Sequence, residues 1–213
     1  MSHLTDTPNG LLPVTGANVM GDITDFIALE DAKEAVDKIN YDFVASLEGK
    51  ALTAAYVPSK SSGVTIGTGV DLKMKDANFL RGIGITDDII KILEPYFGLS
   101  GDAAKKYIKD NPLTLSDEHV TMLDRASKMF EFNKIKTAYE KDSNKHWSDL
   151  SASQQTVLYS VGQQYGNLST RTPKFWKGYI NNDWEAVIKE LNNFGDAYPT
   201  RRRKEADYLT KGE

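Results

Sequence analysis

Apolar side chains recur at spacings of three and four through Val36, Ile39, Phe43 and Leu47, which draws a single stripe down a helix. Glu30 and Asp31 stand ahead of the stripe, where acids favour the positive end of the helix dipole, and Gly49 follows it as a C-cap. The pattern therefore predicts a helix that opens near Glu30 and closes at Gly49. The period then changes. Ala51-Leu52-Thr53-Ala54-Ala55-Tyr56-Val57 and Val64-Thr65-Ile66 are β-prone runs on either side of the turn-forming Pro58-Ser59-Lys60-Ser61-Ser62-Gly63, and together they predict a β-hairpin.

Beyond the hairpin the texture is helical and no further convincing strand follows. Thr86-Asp87-Asp88 opens a helix whose apolar residues are Ile89, Ile90, Ile92, Leu93, Tyr96 and Phe97, closed by Gly98. A short helix is expected from Gly101 to Lys109, before Asn111-Pro112. Ser116 with Asp117-Glu118 marks the start of a long helix through Val120, Leu123, Met129 and Ile135. Ser151 and Gln154 have capping-box spacing ahead of Val157, Leu158 and Val161, a segment that reads as a buried central helix. Further helices are expected over residues 173–180 and 183–194 and after Pro199-Thr200. The sum is an α+β chain, a small hairpin lobe packed against a larger, mostly helical one.

Residues 1–29 depart from this texture. They hold Pro8, Gly10, Pro13, Gly16 and Gly21 with few periodic apolar positions, and read as a flexible N-terminal arm or linker, a point of attachment to something else. Residues 30–213 read as one domain, long enough to bury a core. The chain has no cysteine, so neither disulfides nor a thiolate metal site is available. No apolar run approaches the roughly 18 residues needed to span a bilayer, and the basic start and apolar core of a secretory signal are missing. A net charge of -4 and a pI near 5.5 argue against nucleic acid as the main partner, which would need clustered cations. One basic cluster stands out, Arg201-Arg202-Arg203-Lys204.

The candidate chemistry lies where the first helix meets the hairpin. Glu48 sits at the helix end, facing the glycine-rich Gly63-Val64-Thr65-Ile66-Gly67-Thr68-Gly69-Val70-Asp71-Leu72. Two carboxylates with a hydroxyl between them suggest acid/base hydrolysis. Two later blocks accompany this one, Leu150-Ser151-Ala152-Ser153-Gln154-Gln155 through Val161-Gly162-Gln163-Gln164-Tyr165-Gly166-Asn167, and Arg201 through Asp207. The three blocks together resemble the phage-type lysozyme superfamily, and the muramidase domain of the bacteriocin pesticin more closely than the shorter phage enzymes. The arm is outside the resemblance.

The resemblance implies a lysozyme-like fold and cleavage of the β-1,4 bond between N-acetylmuramic acid and N-acetylglucosamine in peptidoglycan. It assigns the general acid to Glu48, water positioning to Thr65 and substrate contact to Gln164 and Tyr56. It makes Arg201 the partner that orients the glutamate. The shorter phage enzymes carry an aspartate two residues after the tyrosine that Tyr56 matches; Pro58 stands there instead, and the pesticin-like pattern gives the second carboxylate to Asp71. The helix dipole agrees with the acid role, since its negative end favours a protonated carboxyl. No metal or organic cofactor is implied, and His119 and His146 lack a second ligand at metal spacing.

Plainer readings stand beside these. Asp71 can cap a turn, Gln164 can satisfy a buried carbonyl, and Arg201 to Lys204 can form a solvated helix face. Trp147, Trp176, Trp184, Tyr165 and Tyr179 read as core. Rival functions are a lytic transglycosylase or chitinase using Glu48 alone, or a catalytically silent peptidoglycan-binding module. The expected setting is synthesis in the cytoplasm without a signal peptide and action on peptidoglycan in the periplasm or cell wall, after holin release or delivery by a secretion system. An antibacterial effector or toxin, or a phage endolysin, fits that setting. A monomer is expected, without membrane insertion, and with an immunity protein blocking the Glu48 cleft as a partner of the toxin form.

Overall fold

The computed structural model describes residues 37–49 and 51–212. The arm over residues 1–29 and the expected helix start near Glu30 lie outside the described residues. The first described helix, α1 (Tyr41–Leu47), begins where the Asn40 side chain accepts the Phe43 N–H at 2.8 Å. The stripe therefore does not run as one helix through Ile39. Residues 37–40 are not helical; Lys38 N–H donates to Gln155 Oε1 at 2.7 Å and Asn40 N–H to Thr156 Oγ1 at 2.9 Å, and Ile39 is buried from an irregular backbone. A burial spacing of three to four was satisfied without a helix. At the other end α1 stops at Leu47, and Glu48, not Gly49, is the cap residue, already extended.

The hairpin forms as expected. Strands β1 (Leu52–Tyr56) and β2 (Thr65–Gly67) pair antiparallel with Leu52 opposite Gly67 and Tyr56 opposite Thr65. A third strand, β3 (Val70–Asp71), was not expected, and it brings Asp71 opposite Thr65 in the order β1-β2-β3. The Gly67-Thr68-Gly69 turn makes this pairing possible, with φ of +66° at Gly67 and +126° at Gly69, conformations that side-chain-bearing residues resist.

Two helices and a 3₁₀ turn follow, α2 (Ala77–Gly82), α3 (Asp87–Leu93) and Glu94–Tyr96, then α4 (Gly101–Asp110). Helix α2 went unread although Asp76 caps it, accepting the Phe79 N–H at 2.7 Å. The long helix α5 (Asp117–Ser143) opens at Ser116, whose hydroxyl accepts the His119 N–H at 3.1 Å. A 3₁₀ turn (Trp147–Asp149) leads to α6 (Ala152–Tyr165), which carries the full Ser151/Gln154 capping box. Helix α6 is the axis of the core: Val157, Leu158, Tyr159 and Val161 are buried in one cluster with Phe132, Ile135 and Tyr139 of α5. Trp147, Trp176 and Tyr179 belong to that cluster as expected, with Trp184 and Tyr165 partly buried against it. The remaining helices are α7 (Leu168–Arg171), too short to be seen as a period, α8 (Pro173–Asn181), α9 (Trp184–Asn192) and α10 (Pro199–Lys211).

Candidate active site

Glu48 leaves the end of α1 with its side chain only 14% exposed. Its Oε2 accepts a hydrogen bond from Lys128 Nζ of α5 at 3.0 Å. Glu48, Asp71, Gln164 and Arg201 line a single cavity of about 690 Å³, together with Lys75, Asp124 and Lys128. Thr65 and Tyr56 line a second pocket, of about 530 Å³, which shares Asp71 and Gln164 with the first. All six residues singled out in the sequence thus lie on two pockets with common walls.

Arg201 does not pair with the Glu48 carboxylate as the resemblance implied. Its Nε binds Glu205 Oε1 at 3.1 Å, its Nη2 reaches Ser160 O and Oγ at 3.2 and 3.0 Å, and its Nη1 donates to the Leu47 carbonyl at 3.3 Å. The reason is Glu205, which is 0% exposed and must be paired to be tolerated as an ion. Ser160 Oγ donates to it at 2.5 Å, and Arg202 adds a further ion pair. Arg201 still acts on the site, because the Leu47 carbonyl is one of the unpaired groups at the end of α1 and immediately precedes Glu48. The basic cluster is only partly a solvated face: Arg203 and Lys204 are exposed, while Arg202 is 1% exposed and also bonded to Asp196 at 2.9 Å.

Asp71 caps its own surroundings, as the plain reading held. Its carboxylate accepts the Gly63 N–H at 3.0 and 3.2 Å and the Lys73 N–H at 2.8 Å. A Cβ at position 63 would fall 2.3 Å from Asp71 Oδ1, so glycine is what lets this carboxylate approach the chain. The Thr65 side chain is buried in the sheet and its hydroxyl donates to Gly63 O at 3.2 Å, which leaves lone pairs free to accept. Gln164 is exposed in the last turn of α6 and, among the described residues, its amide makes no hydrogen bond, so it is not a buried amide serving a carbonyl.

Asp124 went unnoticed in the sequence. It is 8% exposed, lines the same cavity as Glu48, and accepts the Thr68 N–H at 3.0 and 3.1 Å, holding the glycine turn against α5. A Cβ on Gly67 would meet its Oδ1 at 2.2 Å. Burial pushes its carboxyl above the usual carboxylate range against the opposing pull of Thr68 and Lys128, and neighbouring Glu48 adds to the rise. Its signal was a charge four residues from buried Val120, where the apolar stripe of a helix continues. Among the described residues, no three His, Asp or Glu side chains gather as metal ligands would.

A family model described as Pesticin, a bacterial toxin homologue of phage lysozyme, C-terminal part, matches residues 38–185. The matched stretch includes Glu48, Tyr56, Thr65, Asp71 and Gln164 and stops short of Arg201. A search of curated proteins finds no match.

Proposed function

Because the chain belongs to this pesticin C-terminal family of phage-lysozyme homologues, with their α+β lysozyme-like fold, we propose that it is an antibacterial muramidase. Membership places it among lysozyme-like bacterial toxin domains and, in general terms, among glycoside hydrolases. The proposal is narrower: hydrolysis of the β-1,4 bond from N-acetylmuramic acid to N-acetylglucosamine, in the periplasm or cell wall of a target bacterium.

In this reading Glu48 is the general acid. Lys128 occupies Oε2, and among the described residues Oε1 has no hydrogen bond, so Oε1 is the atom that delivers the proton to the glycosidic oxygen. Asp71, oriented by the Gly63 and Lys73 N–H groups, acts on the opposite face of the sugar as base or charge stabiliser. The free lone pairs of Thr65 help to place the attacking water, and Gln164 and Tyr56 offer polar contacts to the glycan. The observation that carries the reading is the convergence of Glu48, Asp71 and Gln164, from helix end, sheet and central helix, on one cavity. One observation favours the rival that uses Glu48 alone: the hydrogen bonds of Asp71 would suit a purely structural carboxylate.

Kinetics on purified sacculi test the assignment. Glu48→Gln is expected to lose activity by at least about 100-fold, the lower end of what positioned acid/base groups contribute, while unfolding at the same temperature as the wild type. Activity within a few-fold of wild type would remove Glu48 from the chemistry.

A further inference from the structure

Among the described residues four cations line the Glu48 cavity, Lys75, Lys128, Lys134 and Arg201. Three are engaged: Lys128 with Glu48, Lys134 with Glu131 and Arg201 with Glu205. Lys75 is not. Among the described residues its ammonium has no hydrogen bond or ion pair, and it lies 4.1 Å from the centre of the Phe79 ring. Phe79 packs edge-on against Phe130 at 5.0 Å, and Lys134 stands 5.4 Å from the centre of the Phe130 ring. Two lysines of the cavity lining therefore hold their ammonium groups near a pair of packed phenylalanine rings.

The carboxylates that share this cavity have hydrogen-bond partners other than Lys75, and Glu48 takes Lys128. Asp71 accepts from two backbone N–H groups, Asp124 from Thr68, and Glu131 from Lys134. Lys75 itself is half-buried, and burial lowers its pKa; Glu131 and Asp71 oppose that shift and Lys134 reinforces it. A partly desolvated ammonium that makes no ion pair or hydrogen bond among the described residues, in the cavity proposed to take substrate, is a place for an anion to bind, and a charge-assisted hydrogen bond there is stronger than at an exposed surface.

We propose that Lys75 binds a carboxylate on the muramyl side of the glycan. This rests on the peptidoglycan reading above and sharpens it. The muramyl unit differs from N-acetylglucosamine by a lactyl ether, whose carboxylate is free in strands without peptide. In strands with peptide that group is an amide, and the free carboxylates belong to the stem. Chitin offers neither, so Lys75 makes the cavity select muramyl-containing strands over neutral ones.

The test uses the full chain carrying Glu48→Gln, so that ligands are bound without turnover, and adds Lys75→Met or Lys75→Arg. Methionine keeps an apolar stem over Phe79 and removes the charge; arginine keeps the charge. Calorimetry then compares soluble muramyl oligosaccharides with stem peptides, the same oligosaccharides with free lactyl groups, and chitotetraose. Lys75→Met is expected to weaken at least one carboxylate-bearing ligand by ~10-fold and to leave chitotetraose unchanged, with Lys75→Arg restoring most of the loss. Whichever muramyl ligand suffers more identifies the carboxylate. Unchanged affinity for both muramyl ligands, or an equal loss for chitotetraose, overturns the assignment. Digestion of sacculi by the wild type is run in parallel. Turnover without any Lys75 effect defeats this inference alone, and absence of turnover defeats the muramidase reading beneath it.

Discussion

A carboxylate at a buried helix position makes a fold titratable from inside, and Asp124 is such a group. Its pKa is raised by burial, so the folded chain binds this proton more readily than the unfolded chain does. The stability that follows is fully present below the unfolded carboxylate value and is lost as pH rises through the raised folded value. Asp124→Asn has no such dependence. In urea unfolding, the stability of the wild type relative to the variant is expected to be most favourable at low pH and to decline as pH rises from about 4, the ordinary aspartate value. A difference that grows with pH would contradict the burial of this charge. At this scale the placing of Glu48, Thr65 and Asp71 on adjoining pockets was legible because a spaced motif carried them. Asp124 and Lys128 were not, since a search for apolar stripes on α5 passes over the polar residues set among them, and their partners Thr68 and Glu48 are far away in sequence.

Elements were legible where local chemistry decides them. The Ser116 cap and the Ser151/Gln154 box are contacts between residues three apart, and both form where the sequence placed them. Tertiary contacts decided the rest. Ile39 is buried by an irregular segment tied to α6 through Gln155 and Thr156, which mimicked a helical stripe. Strand β3 is two residues long and exists through its pairing with β2, a signal too short to see in one strand alone. The docking of α10 was equally invisible, because it depends on buried ions. Glu205 takes Ser160, Arg201 and Arg202 at once, and Arg201 goes on to the Leu47 carbonyl. Glu205→Gln leaves Arg201 and Arg202 short of their shared counter-ion. It is expected to destabilise the domain by about 3–5 kcal/mol, read from urea melts. A loss under about 1 kcal/mol would mean that Asp196 and solvent suffice to hold both guanidinium groups.

For the whole molecule, the sheet and the helices matter most through what each brings to the cavity. The sheet supplies Asp71 and, to the adjoining pocket, Thr65; the end of α1 supplies Glu48, and the helices behind supply Lys128, Gln164 and Arg201. The family and the α+β architecture were legible because three blocks far apart in sequence agreed. The detailed electrostatics were not, because Arg201 answers to Glu205, a residue whose burial only the assembled fold reveals. The proposed reaction at this cavity is hydrolysis of the muramyl bond with water. Mass spectrometry of the soluble products from sacculi digested by the wild-type chain tests it most directly. Hydrated muropeptides with a reducing N-acetylmuramic acid end are the predicted result, and anhydro-muramyl products, or no products from the folded protein, would contradict it.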